Sequence, residues 1–177
     1  MSETPLNAWK RLMAGCTGRT LLTGAKPWEG SVNPDYTSHC PTAEWLRTDI
    51  EHDPSLDIVC DLHVIQQHVI QLAGIYSPVT LEHVERPWVA MSAMSQALAS
   101  GGVLFVSTHQ TFPLHGYPSD YYRFSDMALQ SLATDAGLQV VEVAYDNPCT
   151  IVPSDSVDVW NTIAESYLGV SICAVKP

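Results

Sequence analysis

The sequence predicts one α/β domain built on a doubly wound, mostly parallel seven-stranded sheet with helices on both faces. Short runs rich in Val, Ile and Leu alternate with segments of helical periodicity, which is the pattern of parallel strands joined by crossover helices. The 177 residues contain no internal repeat, low-complexity tract or linker, and this length is close to that of a single domain. We therefore expect residues 1–177 to share one hydrophobic core.

Seven apolar runs have the length and composition of buried strands, and turn residues separate them. We expect strands at Arg19–Gly24, Trp45–Ile50, Asp57–Asp61, Leu72–Ser77, Gly102–Thr108, Val140–Tyr145 and Val170–Val175.

Two segments carry clear helix boundaries. Pro87–Ala99 has proline at its first position and precedes the Gly101-Gly102 pair, which offers a left-handed exit from the helix. Ser125–Ala136 opens on a good N-cap residue and stops before Gly137. Further helices are expected at Ser154–Tyr167 and, as a short segment, at His63–Gln71.

The first crossover, between Gly24 and Trp45, is predicted to be shortened or irregular. It contains prolines at 27, 34 and 41 and a glycine at 30, which interrupt any long helix. A missing helix would leave apolar sheet surface uncovered, and this would favour a homo-oligomer.

Composition and charge exclude several classes of partner. No apolar run approaches the ~18 residues that a membrane helix needs, so no membrane partner is expected. Eight basic and nineteen acidic residues give a formal charge of −11, which opposes binding to nucleic acid. Met1–Lys10 has Glu3 where a secretory signal carries positive charge, and no apolar stretch with a small-residue cleavage site follows. We therefore expect a cytoplasmic protein with reduced thiols. The cysteines form no C-x-x-C pair and predict neither disulfides nor a zinc site.

Five short motifs follow one another from Trp45 onward. They are T-D-I at 48–50, D-I-V-C-D-L-H at 57–63, L-E-H-V at 81–84, S-G-G at 100–102 and P-L-H-G-Y-P-S-D-Y-Y-R-F-S at 113–125. In this order and spacing the chain resembles the class I S-adenosylmethionine-dependent methyltransferases, and among them the type 11-like family. The resemblance implies a Rossmann-like fold, S-adenosylmethionine as cofactor and a small molecule as methyl acceptor.

Two acidic residues are candidates for the nucleoside end of the cofactor. Asp49 ends a strand roughly 25 residues after Gly24, where nucleotide-binding α/β folds place an acid that accepts from ribose hydroxyls. A solvated strand-end aspartate is the alternative. The resemblance implies that Asp61 accepts from the adenine amine and that Leu62 covers the ring, whereas a turn aspartate beside a core leucine remains open.

The methionine end of the cofactor is assigned to residues after the first and fourth strands. The resemblance places Gly24, Ser77 and Glu82 there, at the edge where open sheets bind ligands. His83, beside them, is a candidate catalytic residue or a packed histidine. Lys26 is a candidate for the methionine carboxylate or a solvated lysine.

The loop His109–Phe124 concentrates polar groups at a strand's carboxyl end, which suits substrate binding. His115 is the predicted catalytic base, and Asp120 would orient it. Arg123 would bind an acidic acceptor or pair with a carboxylate to fix the loop. The proposed substrate-binding residues are His109, Tyr117, Tyr121, Tyr122 and Arg123, although the last three could instead hold the loop onto the next helix.

The family's glycine-rich turn is reduced here to L-L-T-G-A-K-P-W-E-G at 21–30, with Thr23 in place of an acid and Pro27 removing one donor. We therefore expect weak but detectable cofactor binding. A non-catalytic module for binding or subunit association is the main alternative function. A hydrolase with a metal on His109, His115 and Asp120 is a weaker one, because these spacings fit no recognised ligand pattern and no metal is expected.

Overall fold

The computed structural model describes residues 3–27, 34–116, 119–152 and 164–177. The strands in these residues form one seven-stranded sheet, in the order β3-β2-β1-β4-β5-β7-β6. They are β1 Arg19–Thr23, β2 Glu44–Asp49, β3 Ile58–Val59, β4 Leu72–Pro78, β5 Leu98–His109, β6 Gln139–Ile151 and β7 Ala164–Val175. The first five are parallel, and β7 runs antiparallel between β5 and β6. The predicted fold class is confirmed.

Three α-helices accompany the sheet in the described residues. They are α1 Pro5–Leu12, α2 Pro87–Ala97 and α3 Asp126–Asp135. Short 3-10 turns lie at Tyr36–His39, Leu62–Gln67 and Leu81–His83. Ser125 caps α3 as predicted, because its hydroxyl accepts from the Ala128 amide at 3.1 Å.

Successive residues of the central strands point to opposite faces of the sheet, as the pleat requires. Leu21 and Ile75 join a core with α2 and α3 on one face, while Leu22 and Tyr76 join a second core on the other. That second core contains Trp9 of α1. Helices therefore cover both faces of the sheet.

Helix α1 was not predicted, and it changes the expectation for the first crossover. The described part of that crossover holds only the 3-10 turn Tyr36–His39. Trp9 is fully buried and packs against the rings of Trp45 and Tyr76. The face that the short crossover was expected to leave exposed is thus covered from the chain's amino-terminal side, which removes the reason given for self-association.

The helix predicted at Ser154–Tyr167 is wrong over its last four residues, and residues 153–163 lie outside the described part. Residues 164–167 extend β7 and pair with 148–151 of β6 in an antiparallel arm. Tyr167 stacks on Tyr145 of β6 with ring centroids 5.0 Å apart. Cross-strand hydrogen bonding and this stacking outweigh the helical pattern of the sequence.

Two smaller predictions also need correction. α2 ends at Ala97, and Leu98 is already extended, so Gly101 with φ of 78° does not terminate the helix but lies within β5. The expected helix at His63–Gln71 is the 3-10 segment that stops at Gln67.

None of the described helices is long and apolar enough to cross a membrane. Each of the five cysteines is free.

Candidate functional site

A cleft of about 900 Å³ opens at the carboxyl ends of the parallel strands. Ligands of open α/β sheets bind at this edge. Its walls come from the segments after β1, β2, β3 and β4, together with the loop after β5. Four predicted cofactor residues line it, namely Gly24, Asp49, Asp61 and Leu62. His83 and Tyr121 line it as well.

The turn after β1 is held close to the turn after β4. Gly24 has φ of 60°, and a Cβ at this position would lie 2.5 Å from the Thr80 hydroxyl oxygen. Glycine is therefore required both by the left-handed backbone and by the approach of Thr80. The Thr23 hydroxyl donates to Ser77 at 2.7 Å in the buried layer below.

Asp49 is positioned by two backbone amides. Its Oδ2 accepts from the Lys26 amide at 3.0 Å, and its Oδ1 accepts from the Glu51 amide at 3.1 Å. A carboxylate offers about four acceptor positions, so each oxygen keeps one for a ligand. These two hydrogen bonds hold the turn after β1 against the end of β2. They also fix the Asp49 carboxylate as an acceptor in the cleft wall.

Asp61 begins the 3-10 segment after β3 and accepts from the His63 amide at 2.9 Å. The His63 ring approaches the same carboxylate, with Nδ1 2.6 Å from Oδ1. Leu62 is buried beside Asp61, whereas Ile50, which follows Asp49, is 56% exposed. Both apolar side chains line the cleft, so two acidic acceptors alternate with two hydrophobic surfaces.

Three residues predicted to contact the methionine end are differently placed. Ser77 and Glu82 are fully buried and are not among the residues that line the cleft. The Ser77 hydroxyl accepts a buried hydrogen bond from the Thr23 hydroxyl on the neighbouring strand β1. Lys26 lines the cleft, but its ammonium group pairs with Glu51, which raises the pKa of the lysine.

His83 is oriented by the backbone of the loop after β5. Its Nδ1 contacts the carbonyl of Ser119, which can only accept, so Nδ1 carries the proton. In this tautomer Nε2 carries the lone pair. His83 is among the residues that line the cleft, while its Nε2 lies 3.9 Å from Glu82 Oε1 behind it.

Glu82 lies behind His83 and is surrounded by polar groups. Its Oε2 accepts from the Thr108 hydroxyl at 2.7 Å. Its Oε1 is 3.2 Å from His109 Nε2 and 3.9 Å from His83 Nε2, but makes no hydrogen bond among the described residues. Burial lowers the pKa of His109, and the neighbouring Glu82 carboxylate opposes that shift.

His115 lies beside this group on the loop. Its ring stands nearly perpendicular to the rings of His109 and His83, with centroids 5.1 and 4.9 Å away. Asp120 was expected to orient the imidazole of His115, but it does not. His115 Nδ1 is 3.7 Å from Asp120 Oδ2 and closer, at 3.1 Å, to the Pro113 carbonyl oxygen. Asp120 instead accepts from the His115 backbone amide at 2.9 Å.

Arg123 fixes the loop and has no donor left for a substrate. Two of its N–H groups go to the Asp120 carboxylate, and three go to the carbonyls of Phe112, Pro113 and Tyr122. A guanidinium has five donors, so all are used. The guanidinium holds the pKa of Asp120 well below its usual range. Of the two roles considered for Arg123, the structure favours loop fixation over binding an acidic acceptor.

The two tyrosines of the loop differ in placement. The Tyr122 hydroxyl donates to the Glu85 carbonyl at 2.9 Å, which ties the loop to the segment before α2, whereas the alternative interpretation expected the loop to be held onto the next helix, α3. Tyr121 is 48% exposed and lines the cleft. The backbone amides of both donate to the Glu82 carbonyl. Tyr117 lies outside the described residues.

Sequence reasoning missed Thr108, His63 and Ile50. Each adjoins a residue that was singled out, since Thr108 precedes His109, His63 follows Leu62 and Ile50 follows Asp49. A systematic inspection of the residues flanking each strand end would have included them. Their contacts, however, depend on which way each side chain points.

No protein-family model matches the chain, and no curated protein sequence matches it. Solved structures do match. A SAM-dependent methyltransferase from Archaeoglobus fulgidus has a TM-score of 0.69 at 15% identity, over 97% of this chain and 91% of that one. An S-adenosylmethionine-dependent methyltransferase from Mesorhizobium loti gives 0.61 at 15% identity, over 96% of both chains.

A third similar structure is the 1,6-didemethyltoxoflavin-N1-methyltransferase of Burkholderia thailandensis, with bound 1,6-didemethyltoxoflavin and S-adenosylhomocysteine. Its TM-score is 0.62 at 13% identity, over 89% of this chain and 70% of that one. At such low identity these likenesses show the shared methyltransferase-like fold, while function must be argued from the site.

Proposed function

We propose that this protein is an S-adenosylmethionine-dependent methyltransferase acting on a small molecule. The observation that carries the proposal is the cleft at the carboxyl ends of the parallel strands, which combines acidic acceptors with apolar surfaces. Similarity in fold to methyltransferases, one of them with bound S-adenosylhomocysteine, supports the same conclusion.

The nucleoside end of the cofactor fits the wall formed by β2 and β3. Asp49 would accept from the ribose hydroxyls through the positions that the Lys26 and Glu51 amides leave free. Asp61 would accept from an exocyclic amine. Ile50 is exposed in the cleft, and a flat base that covered it would remove its apolar surface from water, which is favourable.

The cofactor would supply an electrophilic methyl group on a sulfonium. The protein's part is to align the acceptor and exclude water, because a direct displacement depends mainly on geometry. Where the acceptor loses a proton, His83 is the best-placed residue to take it, because its ring lines the cleft and the Ser119 carbonyl fixes its orientation. His115, the base expected from sequence, remains a second candidate behind it.

Cofactor affinity is proposed to be weak. In the described part of the turn after β1, residues 24–27, there is one glycine, and Pro27 at the cleft wall has no amide hydrogen. Each missing hydrogen bond is worth about 0.5–1.5 kcal/mol, so the loss of two would weaken binding roughly 5- to 150-fold. Dissociation constants in the range of roughly tens of micromolar to millimolar are expected.

Calorimetric titration with S-adenosylmethionine and S-adenosylhomocysteine tests the proposal. We expect saturable 1:1 binding that weakens in Asp49→Asn and is unchanged in Asp135→Asn, a matched change of an exposed aspartate of α3. A folded protein that gives no heat with either compound at millimolar concentration would contradict the proposal. The non-catalytic module would then be the better account of the donor-poor turn.

A further inference from the structure

The starting observation is a buried carboxylate with only one of its oxygens satisfied. The Glu82 side chain is 0% exposed, and its Oε2 accepts from Thr108. Its Oε1 is buried and lacks a hydrogen-bond partner among the described residues. Leaving a buried charged acceptor unmatched is costly, so such an atom indicates a missing partner.

Two further imidazoles lie close to this carboxylate. One donor atom each from Glu82, His109 and His115 lies within 4.8 Å of the others. His109 Nε2 and Glu82 Oε1 are 3.2 Å apart, yet they do not meet hydrogen-bond geometry. At the tetrahedral angle, a nitrogen and an oxygen bound to one zinc ion at roughly 2.0–2.2 Å are about 3.3–3.5 Å apart. The separation of 3.2 Å is close to this value, so the two atoms suit ligands of a common ion, and a ligand nitrogen of His115 lies within 4.8 Å of both.

The surroundings hold these groups as metal ligands are usually held. Ligating histidines donate their second ring nitrogen to a carbonyl or carboxylate, and ligating carboxylates accept an outer hydrogen bond. His115 Nδ1 lies 3.1 Å from the Pro113 carbonyl, which leaves Nε2 with the lone pair. Thr108 supplies the outer hydrogen bond to Glu82. Phe112 stacks on the His109 ring with centroids 3.9 Å apart and limits its rotation.

We propose that Glu82, His109 and His115 form a binding site for a divalent transition-metal ion of the zinc type. Two imidazoles and one carboxylate match the three-ligand sets that leave coordination positions open. Imidazole ligands disfavour magnesium and calcium, which take oxygen. The site adjoins the cofactor cleft without belonging to it, because only His83, whose Nε2 is 3.9 Å from Glu82 Oε1, lines that cleft.

The chain has a formal net charge of −11, and yet it buries the Glu82 carboxylate with histidine nitrogens as the neighbours of Oε1. A bound ion would explain this arrangement. No lysine or arginine side chain is hydrogen-bonded to Glu82 in the described residues. All five N–H groups of Arg123 donate to other acceptors. A bound cation would supply the missing positive charge. The competing interpretation is a metal-free proton relay between Glu82 and the histidines.

The test uses the full chain without a histidine tag, stripped of metal by a chelator. Cobalt(II) is titrated by visible absorption, and zinc is then measured by competition with a chromophoric chelator. We expect one ion per chain and displacement of cobalt by zinc. Glu82→Gln and His109→Ala should each weaken binding by at least the roughly 10- to 100-fold that loss of an outer hydrogen-bond partner costs.

Two controls and a fold check make the test decisive. His68→Ala and Glu44→Gln alter exposed residues outside the cluster and should leave metal affinity within about twofold. His115→Ala, on the partly exposed loop, provides a ligand variant that is less prone to unfolding than Glu82→Gln. Circular dichroism confirms the fold of each variant.

Failure of wild-type protein to bind cobalt or zinc at millimolar concentration would overturn the proposal and leave the proton relay. Equal loss in the ligand and control variants would overturn it as well. The inference does not depend on methyltransferase activity. Titration of S-adenosylhomocysteine into the metal-free protein reports on the cofactor cleft separately, so the two proposals can fail independently.

Discussion

The turn after β1 and the loop after β5 flank the same cleft but are built in opposite ways. The described part of the first, residues 24–27, offers one glycine and a proline to a ligand. The second runs from His109 to Phe124 and uses its polar groups on itself, with Arg123 alone making five hydrogen bonds. The number of polar residues in a segment is therefore a poor guide to its ligand binding. What matters is how many hydrogen-bonding groups are not already used within the protein.

The difference separates two tasks. The β1 turn contributes by position, since Gly24 and Thr80 bring two strand ends together and Asp49 is fixed between amides. The described part of the β5 loop contributes a hydrogen-bonded frame that presents two histidines, His109 and His115, and Tyr121. Rigid placement suits chemistry that depends on alignment. We therefore expect changes in the loop to alter stability first, and changes near the turn to alter ligand affinity first.

The largest expected effect concerns Arg123. Arg123→Ala removes all five hydrogen bonds of the guanidinium and leaves the partly buried Asp120 without its partner. We expect a loss of about 2–4 kcal/mol in the free energy of unfolding, measured by urea denaturation. Arg11→Ala breaks an exposed pair with Glu3 and should change stability much less. Similar losses in the two variants would show that the loop is not the rigid element.

Much of the fold could be predicted because it depends on local patterns. All seven strands follow from apolar runs, and the ends of α3 follow from Ser125 and Gly137. α1 was missed although Thr4 caps it and Pro5 occupies its first position, because its eight residues are fewer than the 11–18 over which a helical period stands out. The extended Ala164–Tyr167 segment depends on pairing with β6, which no local pattern reports.

The candidate site was only half predictable, for a different reason. Asp49 ends β2, Asp61 and Leu62 follow β3, and parallel topology brings such strand ends to one edge. Glu82 follows β4 and His109 ends the neighbouring β5, but neither lines the cleft, and Glu82 Oε1 lies 3.2 Å from His109 Nε2. Side-chain direction is set by packing, so the histidine cluster could not be distinguished from the cleft in the sequence.

The next effect tests the turn's fixed acceptor. Asp49→Ala should weaken S-adenosylhomocysteine binding by about 1–3 kcal/mol, because hydrogen bonds to a charged acceptor are lost. Calorimetry measures this directly. The same variant should retain metal binding at the Glu82 cluster. Unchanged nucleoside affinity in a folded protein would reject Asp49 as the ribose acceptor.

A smaller effect is expected at Gly24. Gly24→Ala places a Cβ in the left-handed region and against the Thr80 hydroxyl, and should destabilise the fold by about 1–2 kcal/mol. Combining it with Thr80→Ala removes the contact but not the backbone strain. Thermal denaturation of the single and double variants separates the two contributions. Full recovery in the double variant would assign the whole effect to Thr80.

The smallest effect would restore a donor to the turn after β1. Pro27 lines the cleft and has no amide hydrogen, so Pro27→Ala adds one backbone donor at the place where the ligand's charged end is expected. One such bond is worth about 0.5–1.5 kcal/mol, which corresponds to roughly 2- to 13-fold tighter binding of S-adenosylhomocysteine. The added freedom of an alanine in the unliganded turn opposes this gain, so a value near the lower end is expected. Pro54→Ala, at a proline outside the cleft lining, serves as the matched control. Tighter binding in Pro27→Ala alone would show that the turn limits affinity by its lack of donors, whereas no change in either variant would mean that the cleft, and not the turn, sets the affinity.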